Sequence, residues 1–260
     1  IIEYKRATEK LSNIELLKSK IVMGDESDKK RIMSGQMSDV YECTSDDFSK
    51  RELYIVEGRS AMGGILQTRN KLFQAIIPLR GKLLNTSTLD EERLVDNKEV
   101  LALINTIGCG LGGICDPSKS RYSKIILATD SDQDAKHITN LILTLFIHHA
   151  PEMIKQGYLY QVEAPYYKVV DGKKVKYYYL DEKDKVDFSK DVTKLKGLGS
   201  YTKEEAKQFL MDTKERRLIP ILWNPDMEYE TQEASKLMYS GLARKKLMVE
   251  RGIFNQGDIL

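Results

Sequence analysis

From Glu52 onward the chain alternates short apolar runs with helix-like segments, and this alternation limits its fold more than any other sequence feature. The apolar runs read ELYIV, FQAIIPL and KIILATD, and they have the length and β-branched content of buried strands. Helices are predicted over residues 61–70, 98–107 and 134–150. Strands and helices that alternate in this way predict an α/β fold with a mostly parallel sheet flanked by helices.

The flanking regions have a different character. The first fifty residues are polar, with loosely helical spacing of their apolar residues, and we interpret them as a linker. Past the third helix the chain is rich in Tyr, Val and Lys, with a hairpin signal at Asp171-Gly172, and beyond Lys194 it becomes helical and charged. We expect a linker over residues 1–50 and a core over residues 51–165. A smaller α+β tail with a β-hairpin and helices is expected over residues 166–260.

Composition restricts the class of protein only broadly. The 260 residues include 41 basic and 39 acidic ones, and a net charge of +2 favours no particular partner. The cysteines Cys43, Cys109 and Cys115 are too few for a disulfide framework, so we expect a cytoplasmic protein in a reducing compartment. The sequence shows no membrane-length apolar run, and its start at Ile1 favours a fragment of a longer chain.

Acidic residues follow two of the predicted strands. Glu57 comes directly after the first strand, and Asp130, Asp132 and Asp134 follow the third at alternate positions. Parallel strands end at the same edge of a sheet, where α/β proteins place their ligands. A single Asp at a strand end or helix N-cap is common. Four carboxylates together repel one another unless a cation lies between them, and this favours a site for oxygen-ligated Mg²⁺.

Four sequence blocks carry a resemblance to a known family. YIVEGRSA, PLRGKLLN, TDSDQDAKHI and KGLGS occur in this order. The chain resembles, over about residues 50–250, the TOPRIM-containing half of type IIA DNA topoisomerases such as the gyrase B subunit. That family reads E-G-D-S-A, P-L-R-G-K-x-L-N, T-D-x-D-x-D-G-x-H-I and K-G-L-G-E. The resemblance implies a TOPRIM, Rossmann-like sheet and the magnesium-binding part of an ATP-hydrolysing type II topoisomerase that is not active alone.

The resemblance also implies roles for the acidic residues. Glu57 stands at the position of the general acid/base, which exchanges a proton with the 3′-oxygen when DNA is cut and rejoined. Glu57, Asp130 and Asp132 would bind one Mg²⁺, and Asp132 with Asp134 a second. His137 matches the family histidine; it is either catalytic or a helix-face residue bonded to a backbone group.

Three residues depart from the family pattern. Arg59 replaces the Asp of E-G-D-S-A, Ala135 replaces the Gly after the Asp triplet, and Ser200 replaces the last Glu. Arg59 either weakens a metal or drug pocket or grips a DNA phosphate directly. These changes favour a phage or other divergent branch of the family.

Basic residues near the blocks predict contacts to DNA. By resemblance, Arg80 and Lys82 lie in a tight turn that faces the cleaved DNA, and Lys194 and Lys196 flank a loop that contacts its backbone. A solvated turn is the alternative for the first pair. Arg244 and Lys245 are either part of a DNA contact or a charged helix face. The run GCGLGG at residues 108–113 is predicted to be a turn and not a dinucleotide site, because it follows a helix.

The resemblance implies three partners: double-stranded DNA, a tyrosine-bearing breakage-reunion subunit or segment, and an upstream ATPase domain. It also implies a dimeric heteromeric assembly that does not involve a membrane. ATP would act only through a domain that this chain lacks. Two alternatives remain open. A TOPRIM primase or nuclease shares the acidic residues but lacks the P-L-R-G-K and K-G-L-G blocks. A DNA-gripping assembly module would have lost its metal site through Arg59.

Overall fold

The computed structural model describes residues 2–21, 23, 40–79 and 81–227. Strands in these ranges are β1 (Glu52–Glu57), β2 (Gln74–Leu79), β3 (Lys124–Ala128), β4 (Leu159–Glu163), β5 (Tyr167–Asp171), β6 (Lys174–Tyr178), β7 (Asp191–Lys194) and β8 (Arg217–Pro220). The main sheet has the order β2-β1-β3-β4-β8. Its first four strands are parallel, and β8 pairs antiparallel with β4. The predicted α/β fold with a mostly parallel sheet is confirmed.

Helices flank this sheet. They are α1 (Ile2–Lys20), α2 (Gly58–Thr68), α3 (Glu91–Asp96), α4 (Lys98–Ile107), α5 (Gln133–His149), α6 (Pro151–Lys155) and α7 (Lys203–Ala206). The predicted bounds of α4 are confirmed and those of α5 are shifted by one residue. Helix α2 begins three residues earlier than predicted, directly behind Glu57. None of the helices in the described ranges is long and apolar enough to cross a membrane.

Both faces of the main sheet are buried, which explains why its strands are apolar throughout. Alternate residues of β1 and β3 point to opposite faces. Leu53 and Ile125 belong to a cluster with residues of α1, α4 and α5, whereas Tyr54 and Ile126 pack with α2 and with Leu210. Burial on both faces fixes the register of the central strands, and with it the edge at which they end.

A second sheet has the antiparallel order β6-β5-β7. The hairpin between β5 and β6 turns at Gly172, whose φ is +60°, so the prediction at Asp171-Gly172 is confirmed. The chain beyond Lys194 was predicted to be helical and charged; α7 lies there, but so does β8, which the prediction missed and which pairs with β4 of the main sheet. The division of the chain at residue 165 stays a prediction.

The GCGLGG run is a turn, as predicted. Gly108 ends α4 in the left-handed conformation with φ of +81°, and a backbone loop follows. The loop turns back so that the amide of Asp116 donates to the carbonyl of Cys109 at 2.7 Å. The same α4 has Asn97 as its N-cap, whose side chain accepts from Glu99 and Val100.

Candidate metal and nucleic-acid site

Glu57 is the last residue of β1 and the residue that precedes α2. Its side chain makes no capping hydrogen bond to the helix, and Oε2 is buried without a hydrogen-bond partner among the described residues. Burial raises the pKa of Glu57, and the negative charges of Asp130, Asp132 and Asp134 raise it further. The strand therefore delivers a carboxylate that carries a proton more readily than an ordinary glutamate does.

Asp130 lies just beyond β3 and is held by a loop from another part of the chain. Its Oδ1 accepts a hydrogen bond from the backbone amide of Leu198 at 2.7 Å. The neighbouring Ser131 amide donates to the carbonyl of Lys196 at 2.8 Å. A Cβ atom placed on Gly197 would lie 2.9 Å from Oδ2 of Asp130, so glycine is needed for this close approach. The K-G-L-G block thus fixes the direction of the Asp130 carboxylate.

Asp132 and Asp134 begin helix α5. Asp132 is its N-cap, and Oδ1 accepts from the amide of Ala135 at 2.8 Å. Asp134 pairs with Lys82, whose Nζ lies 2.9 Å from Oδ1, and this pairing lowers the pKa of Asp134. Ala135 itself is fully buried inside the first turn, so its methyl group is accommodated where the family has glycine.

Glu57 and Asp130 line an open cleft on the carboxyl edge of the main sheet. Its lining contains Glu57, Gly58, Gly81, Asp130, Gly197, Gly199 and Ser200. Four glycines leave the backbone accessible to a phosphate-bearing ligand. Gly81 has a φ of +82°, which forms the tight turn predicted for PLRGK. Strand ends, the turn after β2 and the K-G-L-G loop together form the cleft.

The acidic residues fit a hard divalent cation by their chemistry. Their oxygens are the ligands that Mg²⁺ takes, and the buried, unpartnered Oε2 of Glu57 is a donor atom in need of a cation. The side chains as they stand do not converge fully. Within the described ranges no group of three His, Cys, Asp or Glu side chains is close enough to hold an ion. The predicted ligand set therefore stays a prediction, with its members gathered at one edge.

Other predicted residues lie at varying positions. Lys196 is exposed beside Asp130, and Lys194 is exposed at the end of β7. His137 is exposed on α5, one turn after Asp134. The side chain of Arg59 and the residues Arg80, Arg244 and Lys245 lie outside what the structure describes.

Sequence reasoning missed two contacts that shape the site. The Leu198 amide that binds Asp130 is a backbone group and leaves no residue-type signal. The pairing of Lys82 with Asp134 joins two blocks that are 52 positions apart. The only available signal for either contact was the presence of both blocks in one chain.

Comparison with known proteins defines the class. Residues 52–162 match the Toprim domain family, and this segment runs from β1 to β4. The chain therefore contains a Toprim domain, which holds Glu57 and all three aspartates.

The similarity continues beyond that domain into longer proteins. The DNA gyrase B subunit of Archaeoglobus fulgidus is 38% identical over 193 residues, which cover 73% of this chain and 30% of the relative. The same protein of Halalkalibacterium halodurans is 38% identical over 196 residues, with the same coverage. The type 2 topoisomerase B subunit of Aquifex aeolicus is 37% identical over 190 residues, covering 73% of this chain and 23% of the relative.

The chain thus spans about a third or less of the length of these curated relatives. Its recognition as the Toprim region of a type IIA topoisomerase of the gyrase B kind is confirmed by the domain match and by these similarities.

Proposed function

We propose that this chain is the magnesium-binding part of a type IIA DNA topoisomerase, which assists a partner tyrosine in transient double-strand cleavage and religation. The observation that carries the proposal is the state of Glu57. Its carboxylate ends β1 with a raised pKa and with one buried oxygen that has no hydrogen-bond partner among the described residues, and Asp130, Asp132 and Asp134 lie close enough to contribute to that shift. Groups with perturbed pKa values in a cleft are typical of catalytic sites.

Glu57 has the properties of a proton-transfer group. Cleavage of a phosphodiester by a tyrosine leaves a 3′-oxygen that needs a proton, and religation takes this proton back. A raised pKa brings Glu57 nearer to the pH at which it can do both. Glu57, Asp130 and Asp132 would hold one Mg²⁺, with Asp134 available for a second. The bound ion would stabilise the charge that develops on the scissile phosphate.

The cleft also suits the sugar-phosphate backbone of DNA. Its glycine lining allows close approach, the Lys82 ammonium group pairs with Asp134, and the exposed Lys196 lies in the loop that binds Asp130. Such contacts supply affinity without sequence choice. We assign Lys194, Arg59 and Arg80 to the same DNA contact.

The attacking tyrosine belongs to the partner in this proposal. Tyr54 and Tyr122 are fully buried. The hydroxyl of Tyr177 donates to Glu205 at 2.6 Å, and that of Tyr201 donates to the carbonyl of Pro165 at 2.7 Å. These four of the 14 tyrosines are buried or hydrogen-bonded, and the proposal assigns the nucleophile to a breakage-reunion subunit or segment and ATP hydrolysis to an upstream domain.

The proposal is tested in the enzyme assembled with its partner. Glu57→Gln should leave DNA binding near that of the wild type, while cleavage and religation rates fall roughly 10²-fold. The covalent DNA adduct should appear on the partner. Glu152→Gln, an exposed residue paired with Lys155, is the control and should keep full activity. Normal cleavage by Glu57→Gln, or labelled DNA on a tyrosine of this chain, would contradict the proposal.

A second candidate is a DNA-gripping assembly module without catalytic metal. Two observations favour it: Lys82 already supplies a cation to Asp134, and the acidic side chains within the described ranges do not converge on one point. Thermal stabilisation by Mg²⁺ separates the two, because a ligand that binds the folded state raises the melting temperature. If Mg²⁺ stabilises the wild type but not Asp130→Ala, the gripping module is excluded. If Mg²⁺ does not stabilise the wild type, the gripping module is supported.

A further inference from the structure

Glu205 is a buried carboxylate outside the cleft. It lies in α7 with 5% of its surface exposed. Oε1 accepts from Lys168 Nζ at 2.7 Å and from the Tyr177 hydroxyl at 2.6 Å, and Oε2 accepts from the Thr202 amide at 2.8 Å. A carboxylate this buried keeps its charge only when it is well bonded. Here the bonds connect β5 and β6 of the second sheet to the first turn of α7.

The segment that leads directly into Thr202 and α7 is the K-G-L-G loop, residues 196–201. At its start the Leu195 amide donates to the Tyr166 carbonyl at 2.8 Å. At its end the Tyr201 hydroxyl donates to the Pro165 carbonyl at 2.7 Å, and Glu205 follows one turn later. The segment between β4 and β5 therefore anchors the loop near both ends, and Glu205 ties the helix that follows the loop to the second sheet.

This loop is the structure that orients Asp130. Its Leu198 amide donates to Asp130 Oδ1, and its Lys196 carbonyl accepts from Ser131. Gly197 passes so close to Asp130 that a methyl group would collide with Oδ2. A loop that shifted by a small distance would change the direction of that carboxylate, because the contact is direct and tightly packed.

We propose that Glu205 is a positioning residue, which holds the K-G-L-G loop against Asp130 and so sets the orientation of a metal-binding carboxylate. The inference rests on the proposed function for the metal, whereas the clamp itself depends only on the contacts above. Outer partners of a metal ligand affect affinity because they fix the geometry of that ligand.

The charge of Glu205 is required as well as its shape. Lys168 is only partly exposed, and a neutral side chain at position 205 would leave its ammonium group without its carboxylate partner. The one side-chain oxygen of glutamine could still accept from the Thr202 amide, and its NH2 group could donate to the Tyr177 hydroxyl oxygen. Glu205→Gln should therefore have a weaker effect than Glu205→Ala, and both effects should act on the loop.

The chain offers a matched control in Glu182. This residue forms the same kind of capping box, since Oε2 accepts from the Tyr179 amide at 3.0 Å, and Oε1 pairs with Lys185 at 2.9 Å. It lies in the first turn of a different short helix, Leu180–Lys185, and has no contact with the K-G-L-G loop among the interactions described. Loss of the charge of a capping-box glutamate away from the loop is thus represented by Glu182→Gln.

The test measures amide hydrogen exchange in the metal-free full chain. Exchange of the Leu198 amide should rise several-fold in Glu205→Ala and less in Glu205→Gln, while β1 and β3 keep their protection and Glu182→Gln matches the wild type. Wild-type exchange at Leu198 in both Glu205 variants would overturn the proposal. So would an increase spread equally over β1, β3 and the loop, because that result describes general destabilisation.

A Mg²⁺ titration followed by thermal shift gives the second readout. The half-saturating Mg²⁺ concentration should rise about tenfold in Glu205→Ala, and cleavage by the assembled enzyme should recover at high Mg²⁺. An unchanged midpoint overturns the positioning role. A wild type that Mg²⁺ does not stabilise contradicts the proposed function instead, and the exchange result still decides whether Glu205 clamps the loop.

Discussion

The ammonium group of Lys82 lies 2.9 Å from Oδ1 of Asp134, so a cation of the protein itself borders the acidic residues. Lys82 comes from the turn after β2, and Asp134 from the first turn of α5. Both side chains are exposed, so their pairing contributes little to stability. Its importance is electrostatic, since it partly neutralises a group of carboxylates that would bind Mg²⁺.

Lys82→Gln should affect metal and DNA in opposite directions. Removal of the ammonium group leaves the carboxylates with more unbalanced negative charge, so Mg²⁺ should stabilise the variant at lower concentrations than the wild type. DNA binding should weaken, with the slope of log affinity against log salt reduced by about one unit. Thermal shift measures the first effect, and a salt series of DNA binding measures the second.

Lys50→Gln is the control for this pair of measurements. Lys50 forms an equally exposed ion pair with Asp47 at 2.8 Å, just before β1 and therefore at the opposite edge of the sheet. It should change neither quantity. Weaker Mg²⁺ binding in Lys82→Gln would show that the lysine supports the metal site instead of competing with it.

Two glycines of one loop should respond differently to a methyl group. A Cβ on Gly197 would lie 2.9 Å from Asp130 Oδ2, whereas one on Gly199 meets no atom within 4 Å. Because the end of a side chain can move, Gly197→Ala should unfold at nearly the wild-type temperature, yet need about ten times more Mg²⁺ for half-saturation. Gly199→Ala should match the wild type in both. Equal Mg²⁺ midpoints for the two variants would mean that the direction of Asp130 does not matter.

The sequence could predict the edge of the site but not its details. Glu57 and Asp130 were expected together because parallel strands that alternate with helices end at one edge, and burial on both faces makes those strands apolar. Helix α5 was predictable from its long amphipathic period. These signals are local, and each is repeated over many residues.

What was missed depends on contacts between distant segments. Strand β8 is four residues long and exists because it pairs with β4, whose residues precede it by more than fifty positions. Helix α3 has only six residues, too few to show a period. The bond from the Leu198 amide to Asp130 involves a backbone group that every residue but proline has.

A buried ion pair at the start of β1 should be important for stability. Arg216 donates two hydrogen bonds to Glu52, at 2.5 and 2.6 Å, and the two side chains are 4% and 3% exposed. Arg216→Met leaves the buried Glu52 carboxylate with the more distant Lys124 ammonium group at 3.8 Å and the Gln74 amide at 3.1 Å, so it should lower the free energy of unfolding by about 3 kcal/mol. Chemical denaturation measures this change.

The adjacent residue provides the comparison. Arg217 is 41% exposed and pairs with Asp181 at 3.1 Å and with Glu163 at 3.0 Å, and Arg217→Met should cost no more than about 2 kcal/mol. The double variant Glu52→Met with Arg216→Met should recover part of the loss, because neither charge of the buried pair remains. Equal losses for Arg216→Met and Arg217→Met would show that the buried pair contributes no more than a surface pair.

The raised pKa of Glu57 predicts a conflict between stability and function in the metal-free protein. A carboxyl group whose pKa is higher in the folded state binds its proton more tightly there. Below the ordinary pKa of glutamate, Glu57 is protonated in both the folded and the unfolded chain and does not lower the free energy of unfolding. As the pH rises through the pKa of Glu57 in the folded state, the free energy of unfolding falls. At neutral pH with a chelator, Glu57→Gln should therefore melt a few degrees above the wild type, and the difference should vanish as the pH falls towards 4.

Glu182→Gln should show the reverse dependence. The Tyr179 amide and then Lys185 lower the pKa of Glu182, so its ionised form stabilises the folded state above the ordinary pKa of glutamate. Its variant should melt below the wild type at neutral pH and approach it in acid.

With saturating Mg²⁺ the advantage of Glu57→Gln should disappear, since the wild type gains the ion's stabilisation and the variant gains less. Melting curves of the wild type, Glu57→Gln and Glu182→Gln across pH, with and without Mg²⁺, test these expected differences in melting temperature. A Glu57→Gln variant that is less stable than the wild type in chelator at neutral pH would show that Glu57 is ionised there with a compensating partner.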